Sequence, residues 1–362
     1  MKAVVLVGGE GTRLRPLTYT IPKPLLPIAN QPFIERQLTW LASHGVDEVV
    51  LALGYLPDAF EAHFPDGRFG DLVLRYAVEP YRLGTAGAIR FAADGIDERF
   101  VVCNGDVLTT LDLSALVRAH DERGADATIH LAHVDDPSSF GVVPTGAHGA
   151  VLAFVEKPPP GMAPTNWINA GTYVLEPTVL AEIPPRVAVS IERETFPRML
   201  DRPGRVYAME SNAYWLDIGT PEKYLQAHAD LLDGTLGDPP APGAVERAAG
   251  VWVQGAAEIA DGAVKAPALV GAGARIESGA HVEASTLGPG CEVGPGARVY
   301  RSVLLAGARL AAGAEAGDSV VGPEAVLEAD VVAGAQTLIG ASAVVSAGSV
   351  VTGGRIHVPR RP

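Results

Sequence analysis

Apolar residues recur at a fixed interval through the last third of the chain, and this repeat restricts the fold more than any other feature. Three columns of apolar positions advance in steps of about 17 residues. The columns are Val270, Leu287, Leu304, Val321 and Leu338; Ile276, Val293, Leu310, Leu327 and Val344; and Val282, Val299 and Ala316, with a slip near Val332. Each period divides into steps of about six, six and five residues, so the repeat predicts a β-solenoid with three-sided coils.

Glycines mark the corners of the predicted coils. They stand three residues after an apolar position, where a turn needs a backbone without a Cβ, at Gly273, Gly279, Gly290, Gly296, Gly307 and Gly313. A disordered Ala/Gly-rich tail would not keep three columns in register. The hexapeptide spacing resembles that of left-handed parallel β-helices, and the handedness is implied by this resemblance alone.

The N-terminal stretch from Val4 to Pro27 predicts a phosphate-binding loop. A short apolar strand, Ala3 to Val7, runs into Gly8-Gly9-Glu10-Gly11-Thr12, where backbone N–H groups are accessible to a ligand. The cations Arg13, Arg15 and Lys23 follow, which suits a polyphosphate, although Arg15 could also be a simple surface charge. The spacing excludes a P-loop, and Leu14 occupies the position of the third glycine in a dinucleotide-binding fingerprint.

Strands and helices alternate from the N-terminus to His133, which predicts a Rossmann-like doubly wound sheet. From Phe140 onwards the short apolar runs predict antiparallel strands that complete this α/β domain. Residues 234–250 are rich in Gly, Pro and Ala and predict a linker. We therefore expect a nucleotidyltransferase domain over residues 1–233, a linker over 234–250 and a hexapeptide-repeat β-helix over 251–362.

The run G-G-x-G-T-R-L-x-P-L-T from Gly8 to Thr18, followed by P-K-P-L-x-P from Pro22 to Pro27, resembles the signature of the sugar-phosphate nucleotidylyltransferases. The resemblance covers nearly the whole chain. It implies in-line attack by a sugar 1-phosphate on the α-phosphorus of a nucleoside triphosphate, with Mg²⁺ as cofactor and pyrophosphate as the leaving group. Because the attacking oxygen is already anionic, this reaction needs positioning and charge neutralisation rather than a general base.

Residue by residue, the resemblance implies three groups of site residues. The positions that match nucleotide contacts are Val7, Gly8, Gly9, Gly11, Thr12, Gly84 and Thr85. The positions that match catalytic residues are Arg13, Lys23, Asp106 and Asp217, and the two aspartates also match metal ligands. The positions that match sugar-phosphate contacts are Gly141, Glu156, Lys157, Asn169 and Gly171.

Each of these residues also has an ordinary structural explanation when taken singly. An aspartate after a strand often caps a helix or a turn. The N-A-G run could form a hairpin turn, and Gly84 could simply allow close packing where a helix begins. The retention of Arg13, Lys23, Asp106, Lys157 and Asp217 together favours a catalytic site over a non-catalytic regulatory or scaffold homologue with the same domain plan.

Several details are similar to the mannose-1-phosphate guanylyltransferase group of the family. They are the P-K-P-L run, the run S-I-E-R-E-T-F-P from Ser190 to Pro197, I-N-A-G, W-L-D-I-G-T and the C-terminal repeats. Arg82 before L-G-T and Cys103 in the strand before N-G-D depart from the common pattern. GTP and mannose 1-phosphate are therefore the expected substrates. Another sugar or cyclitol 1-phosphate, or a glucose-1-phosphate thymidylyl- or uridylyltransferase activity, remains as an alternative.

Bulk properties restrict the partners. The net charge of −14 argues against non-specific binding to nucleic acid or to acidic membranes. The two cysteines form no framework and no apolar run spans a membrane, so we expect a cytoplasmic protein. Open β-helix faces predict a homo-oligomer, a dimer or a tetramer. His281 and His357 lie in the repeats, where some hexapeptide proteins carry a catalytic acetyltransferase histidine, but no second catalytic group stands beside His281.

Overall fold

The computed structural model describes residues 1–202 and 204–357. Up to the last α-helix, the strands are β1 (Lys2–Leu6), β2 (Pro27–Ile28), β3 (Gln31–Pro32), β4 (Glu48–Leu53), β5 (Arg68–Phe69), β6 (Leu72–Val78), β7 (Phe100–Asn104), β8 (Val107–Thr109), β9 (Ala127–His133), β10 (Gly141–Val142), β11 (Val155–Glu156), β12 (Trp167–Leu175), β13 (Val206–Ser211) and β14 (Trp215–Asp217). The α-helices are α1 (Phe33–Ser43), α2 (Pro57–His63), α3 (Gly84–Ala92), α4 (Leu113–Arg123), α5 (Phe196–Met199) and α6 (Pro221–Leu232).

The chain forms two units, and each unit combines two separate stretches of the sequence. The first unit combines Met1–Gly9 with Ile34–Leu216. The second combines Glu10–Phe33 with the chain from Asp217 onwards. Most of the glycine-rich signature thus belongs to the same unit as the C-terminal repeats.

The first unit is built on a sheet whose central strands β7, β1, β4 and β6 are parallel. Their sequences are runs of β-branched and other apolar residues, as expected for strands covered on both faces. Val4, Val50 and Phe100 from these strands share one buried cluster with Ala86 and Ile89 of α3. The doubly wound α/β fold predicted from the sequence is confirmed.

The strand order reverses beside β1. From β1 the chain continues to β4 and β6 on one side, whereas β7 returns to pair with the other side of β1. In open α/β sheets, ligands bind beyond the carboxyl ends of the strands at this reversal. In this protein the two ends are Val7-Gly8-Gly9 after β1 and Gly105-Asp106 after β7.

The remaining strands extend the sheet with mixed direction. β12 runs antiparallel to β7 and β9, and β13 runs parallel to β9. The register between β12 and β9 shifts between Asn169 and Tyr173, so the N-A-G run forms a bulge inside a long strand. The hairpin turn considered from the sequence is not present.

The segment from Ile191 to Leu200 differs from the single helix that its pattern suggests. Residues Ile191–Thr195 form a wide π-helical turn, and α5 follows it directly. The Ser190 side chain accepts a hydrogen bond from the Arg193 N–H and closes the start of the turn. The wide turn places Glu192 and Arg193 beside the cavity described below.

The C-terminal part of the second unit is a solenoid of parallel strands. They are β15 (Ala244–Ala248), β16 (Val251–Gln254), β17 (Glu258–Ile259), β18 (Val264–Val270), β19 (Arg275–Ile276), β20 (His281–Leu287), β21 (Glu292–Val293), β22 (Arg298–Tyr300), β23 (Val303–Leu304), β24 (Arg309–Leu310), β25 (Glu315–Gly317), β26 (Val320–Val321), β27 (Val326–Leu327), β28 (Val332–Gly334), β29 (Leu338–Ile339), β30 (Val344–Val345), β31 (Val350–Thr352) and β32 (Arg355–Ile356). From β16 onwards each strand pairs in parallel with the equivalent strand of the next coil. This arrangement is consistent with the predicted left-handed parallel β-helix. Strand β15 lies within residues 234–250 and pairs antiparallel with β16.

The predicted columns are correct as far as Leu327 and shift by one residue in the next coil. Val321 pairs with Ile339 rather than Leu338, and Leu327 pairs with Val345 rather than Val344. Val344 is 57% exposed, whereas Val345 is buried. The cause is one extra residue at the corner before β29, where Ala335 and Gln336 both take positive φ angles, 49° and 64°. The assignment of Leu338 and Val344 to the columns was therefore wrong.

The third column does not slip at Val332. Ala316 pairs with Ala333, which is buried, while Val332 points outwards and is 38% exposed. Alanine is a weak apolar signal, so the neighbouring valine concealed the register in the sequence. The six predicted corner glycines all have positive φ angles, between 67° and 78°.

Both cysteines are buried and unpaired, and burial raises the pKa of each thiol to about 12. They are packing residues rather than nucleophiles. Among the helices of the described residues, none is both long enough and apolar enough to cross a bilayer.

The corrected register makes a testable prediction. We expect Val345→Ala to lower the free energy of unfolding by about 1–3 kcal/mol, because it removes two methyl groups from a closed core. Val344→Ala, one residue away and exposed, should change it by less than about 0.5 kcal/mol. Urea unfolding of both variants measures the difference. A larger loss of stability in Val344→Ala than in Val345→Ala would support the register expected from the sequence.

His130 on β9 generates a prediction for the dependence of stability on pH. It is completely buried, neither ring nitrogen has a hydrogen-bond partner among the described residues, and burial lowers its pKa to about 4. Below pH ~6.5 the unfolded chain therefore binds a proton at this residue that the native state does not bind. This histidine should remove up to about 3 kcal/mol of stability as the pH falls from 7 to 4.

We therefore expect His130→Leu to flatten the acid side of the stability profile, measured as unfolding midpoints between pH 7 and pH 5. The exposed His281, replaced by Leu, serves as the matched control. An unchanged slope in His130→Leu would contradict the assignment.

Candidate active site

In the first unit, the ends of β1 and β7 approach each other through glycine backbone. The Gly105 N–H donates to the Leu6 carbonyl at 2.9 Å. A Cβ on Gly105 would lie 2.4 Å from the Val7 side chain, so only glycine fits there. Gly8 is in similarly close contact with Gly54 at the end of β4. This packing brings Asp106, which follows Gly105, next to the start of the signature.

Glu79 lies beside Gly8 and was not identified from the sequence. Its carboxylate would be 3.3 Å from a Cβ on Gly8, and its other oxygen accepts a hydrogen bond from the Leu83 N–H at 2.8 Å. Partial burial raises the pKa of this carboxyl, while the Leu83 N–H and Arg82 oppose the shift. Glu79 thus connects the glycine loop with the L-G-T-A-G segment.

Gly84 starts helix α3 in direct contact with a distant backbone segment. Its φ is +68°, and a Cβ would lie 2.6 Å from the Val189 carbonyl oxygen. The Ala86 N–H donates to the same oxygen at 2.9 Å. The predicted nucleotide-binding Gly84 is therefore also a packing residue, which agrees with the structural alternative considered for it.

The Thr85 side chain holds the S-I-E-R-E segment. Its hydroxyl donates to the Glu192 carboxylate at 2.9 Å and accepts from the Ile191 N–H at 2.8 Å. Glu192 also accepts hydrogen bonds from the hydroxyls of Ser190 at 2.8 Å and Tyr173 at 3.4 Å. Burial, followed by the charge of Glu192, raises the pKa of the Tyr173 hydroxyl well above its ordinary value. Glu192 is the centre of a polar network that sequence reasoning missed.

Three of the predicted sugar-phosphate contacts line one cavity of about 180 Å³. They are Gly141, Glu156 and Asn169, and the lining also includes Glu192 and Arg193. Gly141 pairs with Glu156 across β10 and β11, and a Cβ on Gly141 would lie 3.2 Å from the Glu156 carboxylate. The cavity therefore presents two carboxylates, one amide and one guanidinium, which are groups that bind hydroxyls.

Arg193 pairs with Glu156 at this cavity. The guanidinium donates to a Glu156 carboxylate oxygen at 2.9 Å, and the Lys157 ammonium lies 3.9 Å from the same oxygen. Lys157 itself has a positive φ of 48°, and its side chain is 61% exposed. The Lys157 ammonium is therefore exposed and lies near Glu156, which lines the cavity.

The N-A-G bulge connects the cavity with the end of β7. The Asn169 side chain accepts from the Gly171 N–H at 3.0 Å and donates to the Tyr173 hydroxyl at 2.8 Å. Gly171 has a φ of +74°, and a Cβ there would lie 2.3 Å from the Asn104 amide. The predicted residues Asn169 and Gly171 thus fix the backbone next to the Asn104-Gly105-Asp106 turn.

In the second unit, the Arg13 guanidinium and the Asp217 carboxylate both lie close to Gly219. A Cβ on Gly219 would be 2.8 Å from the Arg13 guanidinium and 3.1 Å from the Asp217 carboxylate. Asp217 also pairs with Lys223 of α6. Thr220 caps this helix by accepting from the Lys223 N–H, so the cap fixes the start of the helix that carries the lysine. Lys223 is a third residue, after Glu79 and Glu192, that the sequence did not reveal.

The Lys23 side chain packs against Gly11 of the same loop. Gly11 has a φ of +60°, and a Cβ there would lie 3.0 Å from both Lys23 and Thr18. The buried Thr18 hydroxyl donates to the Gly11 carbonyl at 2.9 Å. Arg13 lies in the short 3₁₀ turn Thr12–Leu14, which begins at Gly11. Thr12, Arg13 and Lys23 are therefore brought together by one folded loop.

Arg15 is not a simple surface charge. Its guanidinium pairs with Glu10 at 2.7 Å and lies 5.3 Å from the centre of the Tyr19 ring. These contacts hold the loop rather than leave the charge for a ligand.

The two predicted metal ligands belong to different units, Asp106 to the first and Asp217 to the second. Within the described residues, no cluster of three or more His, Cys, Asp or Glu side chains forms a ready-made metal centre. Mg²⁺ prefers one or two carboxylates, with phosphate oxygens and water as the remaining ligands. Each aspartate, taken by itself, therefore has the chemistry of a ligand for a metal that binds together with a nucleotide.

His120, His228 and His357 each contact a structural partner. His120 lies 2.9 Å from the Thr128 hydroxyl, and His228 lies 3.0 Å from the Thr286 hydroxyl. His357 packs edge-on against Tyr19. These contacts give the three histidines structural roles.

The contact of Gly84 with Val189 generates a prediction. We expect Gly84→Ala to be more destabilising than Gly95→Ala by at least about 2 kcal/mol, because the new methyl group meets a backbone carbonyl that cannot rotate away. Gly95, with a φ of +78° and open space around it, is the matched control for backbone strain alone. Urea unfolding compares the two variants, and equal losses would mean that the Val189 contact is not held in solution.

Comparison with known proteins places this site in a family. The Nucleotidyl transferase family model matches residues 2–234, and the model described as GMPPB C-terminal domain matches residues 264–361. The mannose-1-phosphate guanylyltransferase of Mycobacterium tuberculosis is 44% identical over 239 residues, which are 66% of this chain and 66% of the relative. The UTP–glucose-1-phosphate uridylyltransferase of Synechocystis is 36% identical over 266 residues, 70% of this chain and 68% of the relative.

A solved structure supports the same conclusion. HddC from Yersinia pseudotuberculosis, in complex with GMP-PN, is 32% identical, with a TM-score of 0.54 over 63% of this chain and 97% of that chain. The aligned region spans about two thirds of the mycobacterial relative. The family model covers both the end of β1 and the D-I-G-T segment beside Arg13. The family predicted from the signature is confirmed, and the chain belongs to the nucleotidyl transferase family.

Proposed function

We propose that this chain transfers GMP from GTP to mannose 1-phosphate and releases pyrophosphate. The observation that carries the proposal is that the Arg13 guanidinium and the Asp217 carboxylate both lie next to Gly219, because this brings a cation for phosphate close to a carboxylate for a metal. The similarity to mannose-1-phosphate guanylyltransferases supports the choice of substrates. The nucleotide in HddC, GMP-PN, supports a guanine nucleotide.

The reaction follows from charge neutralisation and alignment. The phosphate oxygen of the sugar 1-phosphate attacks the α-phosphorus of GTP, and the bond to the bridging oxygen of pyrophosphate breaks in line. Arg13 and Lys23 neutralise the negative charge on the departing pyrophosphate, and Lys157 neutralises the incoming phosphate. The backbone N–H groups of Gly8, Gly9, Gly11 and Thr12 hold the triphosphate.

The sugar is held by the cavity beside Lys157. Glu156 accepts hydrogen bonds from sugar hydroxyls, Asn169 lines the cavity, and Gly171 orients the Asn169 side chain by donating its N–H. Nucleotidyltransferases of this family generally use a divalent metal. Asp106 and Asp217 would hold Mg²⁺, which when bound neutralises charge on the phosphates. Lys223 would keep Asp217 neutralised while the metal is absent.

The domain plan is part of the proposal. The catalytic domain comprises residues 1–233 and the β-helix domain residues 251–362, joined by residues 234–250. Self-association through the β-helix into a dimer or tetramer is also proposed. It is supported by the exposed Val332 and Val350 on the neighbouring strands β28 and β31.

A pyrophosphate-release matrix tests the activity. We expect release in Mg²⁺ with GTP and mannose 1-phosphate, and little release when UTP, dTTP, ATP or CTP replaces GTP, or when glucose 1-phosphate replaces mannose 1-phosphate. Selective release with UTP and glucose 1-phosphate would instead support the function named for the Synechocystis relative. If no pair gives release, binding of GTP is measured by calorimetry. Binding of GTP would favour an enzyme with another acceptor, and absence of binding would favour a regulatory homologue.

Asp106→Asn is the variant that controls this experiment. It should lower turnover at least about 100-fold and leave the unfolding midpoint unchanged, because it removes a charge from the metal site and keeps the shape of the side chain. Asp94→Asn, in the exposed turn after α3, should retain normal turnover. Near-normal turnover in Asp106→Asn would remove Asp106 from the metal site.

A further inference from the structure

The signature segment, Glu10–Phe33, is held at its first half by the last coils of the β-helix. Arg355 of β32 donates from its guanidinium to the Arg15 carbonyl at 2.8 Å. A Cβ on Gly340 would lie 3.1 Å from the Pro16 ring, so the coil backbone packs directly on that proline. The rings of Tyr19 and His357 meet edge to face, with centroids 5.7 Å apart.

The second half of the segment is held by an earlier coil. The Asn30 side-chain amide donates to the Leu287 carbonyl at 2.8 Å and to the Gln254 side chain at 3.0 Å. The Ala29 N–H lies 3.3 Å from the His228 ring nitrogen, which is also hydrogen-bonded to Thr286. The β-helix therefore holds the segment on both sides of Lys23.

Arg13 lies two residues before the carbonyl that Arg355 holds. Both arginines line one cavity of about 320 Å³, together with Gln336 and Gly353 of the last two coils and the start of α6. The turn that carries Arg13 has only three residues, Thr12–Leu14, and Leu14 is its only buried side chain. Such a short turn depends on its neighbours for its position.

The β-helix is suited to hold this turn. Each of its strands is hydrogen-bonded to the strands of the adjoining coils, and its interior is filled by aligned apolar side chains. Catalysis by charge neutralisation is sensitive to small displacements, and an error of about 1 Å can lower the rate about 100-fold. A rigid element is therefore a better support for a catalytic cation than a loop.

We propose that the last coil of the β-helix positions the phosphate-binding turn, and that Arg355 is a positioning residue for Arg13. Arg355 acts through the Arg15 carbonyl and does not need to touch the substrate. This inference rests on the proposed function, because Arg13 is the group whose position matters. It gives the C-terminal repeats a role in the nucleotidyl transfer step.

Arg355→Ala, Arg355→Lys and the control Arg275→Ala test the proposal in the full-length chain. Arg275 is an exposed arginine of the same β-helix that pairs with Glu258 at 3.0 Å. We expect Arg355→Ala to lower kcat about 10-fold and to leave the KM for the sugar 1-phosphate within about 2-fold of the wild-type value. Arg355→Lys should recover part of kcat, since its ammonium still donates to the carbonyl. Arg275→Ala should keep wild-type kinetics.

Hydrogen exchange gives a readout that does not depend on turnover. Amides in a peptide covering residues 10–20 should exchange faster in Arg355→Ala than in the wild type, while the unfolding midpoint and the exchange in Arg275→Ala stay unchanged. Unchanged exchange in Arg355→Ala would overturn the positioning role, whether or not the enzyme is active with GTP. Faster exchange without any pyrophosphate release in the wild type would uphold the positioning of the turn and reject the proposed reaction instead.

If Arg355→Ala lowers both kcat and the unfolding midpoint, Arg355 is a stabilising residue rather than a positioning residue. Wild-type kcat in Arg355→Ala would reject the catalytic consequence.

Discussion

The close approach of backbone at the ends of β1, β4 and β7 is the constraint on which the rest of the site depends. Gly8 and Gly54 lie against each other, and Gly105 lies against Leu6 and Val7, so a Cβ at any of these glycines would crowd a neighbouring strand end. Because these strands are parallel and adjacent, their carboxyl ends bring distant parts of the sequence to one edge. The turn that carries Asp106 and the start of the signature are neighbours for this reason. Larger side chains at these positions would separate the strand ends before they affected any catalytic group.

The signature carries a cluster of basic residues, although the protein as a whole is acidic. The chain carries a net charge of −14, yet its signature places Arg13, Arg15 and Lys23 within a short stretch. The structure divides their tasks. Arg15 is paired with Glu10 and stabilises the loop, whereas Arg13 faces a cavity. The carboxylates Glu156 and Glu192 are likewise held by donors around a second cavity. Fixed pairs of this kind keep polar groups oriented, so little reorganisation is needed when a charged substrate binds.

Sequence reasoning succeeded where the pattern was local. The alternation of strands and helices up to His133 is present as predicted, because apolar periodicity and caps determine these elements. It failed at Ala335 and Gln336, since two consecutive non-glycine residues with positive φ angles leave no compositional signal. It also missed Glu79, Glu192, Lys223 and Arg355. Each acts through partners that only the folded chain brings near, and no spacing rule identifies such partners. The predicted roles of the site residues themselves remain predictions.

The bond between Arg355 and the Arg15 carbonyl joins residues 340 positions apart. During synthesis the glycine-rich loop leaves the ribosome well before Arg355, because 340 positions separate the two bonded residues. The sheet of the first unit can assemble from residues that precede the solenoid, but the loop reaches its final environment only when the solenoid is complete. Folding of this loop is thereby coupled to synthesis of the solenoid. A chain that stops before the last coil carries Arg13 and lacks the contacts that Arg355 and His357 make with Arg15 and Tyr19.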